Sequence, residues 1–115
     1  MGWLLWGLIA VSTTAPVTVQ ARPAMALPPA RIRVEAHAPR DTRNRRIIVG
    51  LTCASGESDQ SEEDIPGAAT PYTVYARWFE VDAQTTCEAW ALLIRSDGSQ
   101  ARASQTVYVG TAGAE

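Results

Sequence analysis

The chain has 115 residues and a formal charge of −2, from 12 acids against 10 bases. Every base is an arginine, which excludes Schiff-base, lysine-nucleophile and P-loop lysine chemistry, and the near-neutral total gives no global case for nucleic acid. Length predicts one domain, and the 46% hydrophobic content places it among globular chains rather than disordered ones.

The first element is a leader. Trp3 to Val11 form an apolar run too short to span a bilayer by itself, and small and polar residues follow. Ala24-Met25-Ala26 supplies an A-x-A cleavage site, with Val19-Gln20-Ala21 an earlier candidate, the layout of a secretory signal peptide. No arginine precedes the run, so the competing reading is a retained anchor that touches the membrane through residues 1–21. Ser12, Thr13, Thr14 and Pro16 weaken a spanning helix and favour cleavage. A mature chain starting at Leu27 would hold 89 residues (115 minus 26). A domain of that size buries only about 60–65% of its unfolded surface and is marginal without a staple.

The domain proper is expected over 27–110, with 111–115 a flexible Gly/Ala tail. Ile32, Val34 and Ala36 alternate with Arg31, Arg33 and Glu35, the pattern of a half-buried strand. An arginine-rich turn (38–46) leads to IIVGLTC (47–53), with Ile47, Val49, Leu51 and Cys53 on one face. Residues 54–71 are polar and acidic, with room for a further strand in 57–65. YTVYARWFEV (72–81) has strand composition, and TCEAWALLIR (86–95) is another strand. Ser96-Asp97-Gly98-Ser99 predicts a type I′ hairpin into the return strand ARASQTVYVG (101–110). Short strands with regular turn punctuation and no helical period describe an all-β antiparallel sandwich.

The order of these pieces carries a resemblance. RNRR before IIVGL, a Ser/acid-rich segment, an aromatic strand, TCEAWALLIRSDGS and a final VYV together resemble small exported bacterial immunoglobulin-like or fibronectin-III-like domains, over about residues 31–110. The resemblance implies an immunoglobulin-like β-sandwich of about six or seven strands, secreted or periplasmic. It also implies a non-enzymatic adhesive, spacer or partner-binding role. The antibody signature departs from this chain: Thr85 stands where a tyrosine corner needs tyrosine, and Trp78 lies nearer Cys87 than Cys53. The resemblance is therefore one of architecture.

Cys53 and Cys87 sit in phase with apolar neighbours, so a core disulfide with Cα atoms about 4.4–6.8 Å apart is expected in an exported domain. A redox pair would show C-x-x-C spacing, which is absent. His37, the sole histidine, lies beside no nucleophile-elbow serine and reads as a surface residue. Glu57, Asp59, Glu62, Glu63 and Asp64 could offer oxygens to Ca²⁺. Counted from Asp59, however, the glycine and glutamate of a calcium loop fall on Asp64 and Thr70, so a solvated edge is favoured and no metal or cofactor is expected. Arg31, Arg33, Arg40, Arg43, Arg45 and Arg46 could grip phosphate or anionic lipid, and internal pairing with the acidic segment is the favoured alternative.

If Cys87 faces the core, Ala89, Ala91 and Leu93 do too, and Trp90, Leu92 and Ile94 point away. Either a segment of the same chain covers that stripe or it binds another protein, with Trp90 as anchor. Tyr75 and Arg77 are expected to extend the patch, Arg77 by stacking on the indole. The reading is a non-enzymatic secreted or periplasmic interaction or accessory module. The alternative is an accessory subunit of a membrane-bound complex.

Overall fold

The computed structural model describes residues 17–65 and 72–110. The apolar run Trp3–Val11, the Pro66–Pro71 stretch and the 111–115 tail lie outside them. Eight strands follow one another: β1 (Thr18–Arg22), β2 (Met25–Ala26), β3 (Ala30–Pro39), β4 (Asn44–Cys53), β5 (Ser58–Asp64), β6 (Tyr72–Val81), β7 (Thr85–Arg95) and β8 (Gln100–Val109). They form two sheets, β1-β3-β6 and β2-β8-β7-β4-β5, antiparallel throughout except where β2 runs parallel to β8.

Alternation decides the core. Ala30, Ile32, Val34, Ala36 and Ala38 of β3 face inward against Ile47, Val49 and Leu51 of β4 and Ala89, Ala91 and Leu93 of β7. Side chains at every second position point to one face of a strand, so the polar residues between them go outward. Small residues dominate facing positions of β3 and β7, and the larger Phe79, Tyr75 and Val107 fill the space left at the margins. Asn44 is the one buried polar residue among those described, and its Nδ2 donates to the carbonyl of Pro39 at 3.0 Å.

Two hairpins use the same turn. Gly98 N donates to Arg95 O and Arg95 N to Ser99 O; likewise Gly56 N donates to Cys53 O and Cys53 N to Glu57 O. Gly98 (φ 87°) and Gly56 (φ 102°) alone among the described residues take positive φ. Each turn is thus a type I turn closed by a left-handed glycine, a three-residue loop with a bulge. The expected type I′ turn at Asp97-Gly98 is corrected on this point, because Asp97 stays at negative φ.

The sandwich also starts earlier than the expected boundary at 27. Val17 and Ala21 are buried, β1 pairs with β3 from Thr18↔His37 to Arg22↔Arg33, and Gln105 of β8 clasps both the N–H and the C=O of Ala21. The stretch that contains both candidate cleavage sites therefore belongs to the fold.

Candidate functional site

The outer face of the five-stranded sheet holds the stripe expected from the sequence. Register places Ile48 opposite Leu92, Gly50 opposite Trp90 and Arg46 opposite Ile94. Trp90, Leu92 and Ile94 are half-buried, and Ile48 between them is only 9% exposed. Ion pairs border the stripe: Arg46 reaches Glu62 (3.7 Å) and Asp64 (3.1 Å) of β5, and Arg102 of β8 reaches Glu88 (3.3 Å).

Trp90 is held by its own chain. Its indole lies across Gly50, its Nε1 donates to Thr52 Oγ1 at 3.1 Å, and the Arg102 guanidinium stacks on the ring, 5.1 Å from its centroid. The aromatic thus covers bare backbone that a glycine in a sheet interior would leave open. Of the two readings left open by the sequence, coverage by the same chain applies in part to Trp90, while Leu92 and Ile94 stay partly open to solvent.

Tyr75 and Arg77 do not extend this stripe. They lie on β6, which belongs to the other sheet, so strands adjacent in sequence are not adjacent in space. Tyr75 faces the core at 4% exposure, and its hydroxyl lies 2.7 Å from Ser61 Oγ on β5, linking the two sheets along one edge. Arg77 stacks on Tyr75 (4.6 Å) and donates to Ser61 Oγ at 3.3 Å. The residue that stacks on Trp90 is Arg102, whose place follows from counting back across the hairpin: Leu92↔Arg102.

Cys53 and Cys87 are joined, as expected. They stand directly opposite on β4 and β7, and Cys53 N bonds to Glu57 rather than across the pair. Non-hydrogen-bonded pairs are where antiparallel strands come closest, which accounts for a Cα separation of 4.0 Å, just under the expected range. Nearby, Glu57 ties the β4–β5 turn to the β6–β7 turn. Its carboxylate accepts the amides of Asp82 (2.8 Å) and Ala83 (3.3 Å) and the Ser55 hydroxyl (2.9 Å), and these bonds, the Asp82 amide foremost, lower its pKa.

The arginine cluster is divided among internal partners. Arg43 bonds Asp41 (2.8 Å) and Asp97 (3.1 Å), Arg45 donates to the Thr42 and Asn44 carbonyls, and Arg46 meets the acidic strand β5. On the outer face of β1-β3-β6, Arg33 pairs with Glu35, which also meets His37 Nε2 at 2.6 Å. Burial raises the pKa of Glu35, but Arg33 and then His37 outweigh it and leave the value lowered. Arg31 stacks on Trp78 at 4.7 Å, and Trp78 is 52% exposed. Sequence reasoning passed over Trp78. The alternation of β6 held the signal, since Val74 and Trp78 are out of phase with Phe79 and Val81.

The acids of β5 lie along an exposed edge strand, and among the described residues no three His, Cys, Asp or Glu side chains come together in a way that could hold a metal ion. No helix among the described residues is long and apolar enough to cross a membrane. A groove of about 230 Å³ runs between β5 and β6 over Leu51, Phe79 and Val81, rimmed by Glu57, Asp59 and Glu80.

No protein-family model and no curated protein matches the chain. Solved structures do. A superoxide reductase (neelaredoxin) from Ignicoccus hospitalis is 14% identical with TM-score 0.60, the match covering 88% of this chain and 85% of that one. The sulfur carrier protein SoxY from Chlorobium limicola f thiosulfatophilum is 15% identical with TM-score 0.59, covering 94% and 96%. The fn3 domain of human collagen α1(XX) is 17% identical with TM-score 0.53, covering 90% and 88%. At these identities the likeness is one of fold, and the chain is an all-β sandwich of immunoglobulin-like type.

Proposed function

We propose that this protein is a non-enzymatic interaction or accessory module, secreted or periplasmic, that presents the outer face of its five-stranded sheet to another protein. The observation that carries the reading is the contiguous apolar stripe of Ile48, Trp90, Leu92 and Ile94 on a sheet face where solvent-facing positions are ordinarily polar. Ringed by the Arg46–Glu62 and Arg102–Glu88 pairs, it has an apolar centre and a charged rim, the anatomy of a protein interface. The disulfide is consistent with an oxidising compartment.

Leu92 is the residue to test, because it is half-open and makes none of the hydrogen bonds that tie Trp90 down. Leu92→Asp should abolish capture of the partners held by wild type while the melting temperature of the protein stays within a few degrees. Retention of the same partners by Leu92→Asp sinks the proposal.

The alternative, an accessory subunit of a membrane-bound complex anchored through residues 1–21, draws support from the burial of Val17 and Ala21. A chain that needs β1 is not cut within or after it, so neither candidate cleavage site, at 19–21 or 24–26, releases the apolar run.

A further inference from the structure

The opposite face of the sandwich, the exterior of β1-β3-β6, carries a second arrangement. Register lines up Arg22, Arg33 and Trp78 in one row across the three strands, and Arg31 stacks on Trp78 from the neighbouring row. Val74 and Trp78, each 52% exposed, mark the ends of an outward column on β6 with Ala76 between them. Arg22 and Arg31 have no ion-pair partner among the described residues. Arg22 stands directly opposite Arg33, whose charge Glu35 already meets, so Arg22 is the cation of this row left to an outside anion. The acids of this face are Glu35, already engaged by Arg33 and His37, and Glu80, which stands opposite Arg31.

We infer that this face docks on an anionic phospholipid surface, with Arg22 and Arg31 meeting lipid phosphates and Trp78 seated at the headgroup level. Guanidinium groups suit phosphate, and tryptophan and arginine both favour a surface that is apolar at one depth and wet at another. What selects a membrane over a soluble acidic protein is the chain that precedes the face. Val17 leads into β1, and the apolar run Trp3–Val11 lies a few residues upstream. Six residues separate Val11 from Thr18, and the seven Cα steps span at most about 25 Å when extended, so a run held in a bilayer keeps the start of β1 within that reach of the same surface. This inference rests on retention of the run ahead of β1, as in the anchored reading above, and concerns a different face from the proposed protein interface.

The test is hydroxyl-radical footprinting of the full chain in nanodiscs of zwitterionic lipid and of zwitterionic lipid mixed with phosphatidylglycerol, with labelling read at Trp78 and Trp90. Labelling of Trp78 should drop several-fold on the anionic discs relative to the zwitterionic ones, while Trp90, on the opposite face, keeps its labelling. Arg22→Gln/Arg31→Gln should restore Trp78 labelling, and added salt should do the same. Equal labelling of Trp78 on both discs overturns the inference, as does protection that survives loss of both arginines. Protection that rises with protein concentration in the absence of lipid overturns it too, by showing that a second copy is the occupant. Far-UV circular dichroism of the variant guards against unfolding, and Trp78→Phe, which keeps the ring and the fold, supplies a second arm. It should retain the preference for anionic discs, measured by labelling of Tyr75-flanking residues Val74 and Ala76.

Discussion

The indole of Trp90 occupies the space a side chain would take at Gly50: a Cβ built there would lie 2.3 Å from Trp90 Cζ2. Gly50→Ala must therefore expel the ring and break the bond to Thr52. Overpacking of this kind costs about 1–3 kcal/mol, and each kcal/mol moves the Tm of a domain this size by about 4–8 °C. Trp90→Ser should also lower the Tm, because the ring covers Gly50 and is tied to Thr52. In the Trp90→Ser background Gly50→Ala should be close to neutral. Additive losses in the double variant would refute the coupling.

The Cys53–Cys87 bridge closes a loop with a sequence separation of 34. In the chain-entropy account a loop of that length stabilises by about 3–4 kcal/mol. Cys53→Ala/Cys87→Ala should lower the urea midpoint by a corresponding amount without changing the strand spectrum. An unchanged midpoint contradicts the prediction.

Arg43 should make stability depend on acid. The Arg43 side chain and amide hold the Asp41 carboxyl well below its usual range, and the Ser99 hydroxyl and amide, with help from Arg43, bring Asp97 from 3.8 to about 2. Both folded values lie below the unfolded ones, so the stabilisation is present above about pH 4 and is lost as the pH falls towards about 2. The Tm gap between wild type and Arg43→Gln should be widest above about pH 4 and should narrow progressively as the pH falls from about 4 towards about 2. A gap that stays constant across that window refutes the assignment.

Because β1 and β2 belong to the sandwich, processing should spare them. Amino-terminal sequencing of the protein from its native envelope fraction should find a start at or before Val17. A chain cut to Leu27 would lose Val17 and Ala21 from the core and leave the inner strand β3 as an edge, so it should melt without cooperativity. A stable, cooperative protein starting at Leu27 would overturn the pairing of β1 with β3.

Alternation in the sequence was enough to place β3, β4, β6, β7 and β8 and, on β3, β4 and β7, to say which side chains face the core, because a period of two is a local property. It could not say which sheet a strand joins. β6 and β7 are consecutive, yet the chain crosses from one sheet to the other at Asp82–Gln84, and Tyr75 went with it into the core. The residues Thr18–Arg22 and Met25–Ala26 were hidden for a different reason. A stretch beside an A-x-A motif and just after an apolar run reads as a leader when no partner strand is in view, and only the ladder to β3 and the grip of Gln105 reveal its place. Within the candidate site, Trp90, Leu92 and Ile94 were legible by phase, whereas the cover that Gly50 and Arg102 give Trp90 depends on register across two neighbouring strands.

The position of the disulfide divides the molecule by its response to a protease. From Cys53 the chain runs out through β5, crosses to the other sheet as β6 and returns to Cys87, so both of those strands lie inside the closed loop. A single cut between Ala54 and Thr86 leaves two fragments that are still covalently joined, each strand still laddered to its neighbour, and the nicked species migrates as one chain until it is reduced. A cut in the Arg95–Ser99 turn has no such insurance: β8 is then held to β7 and β2 by hydrogen bonds and packing alone.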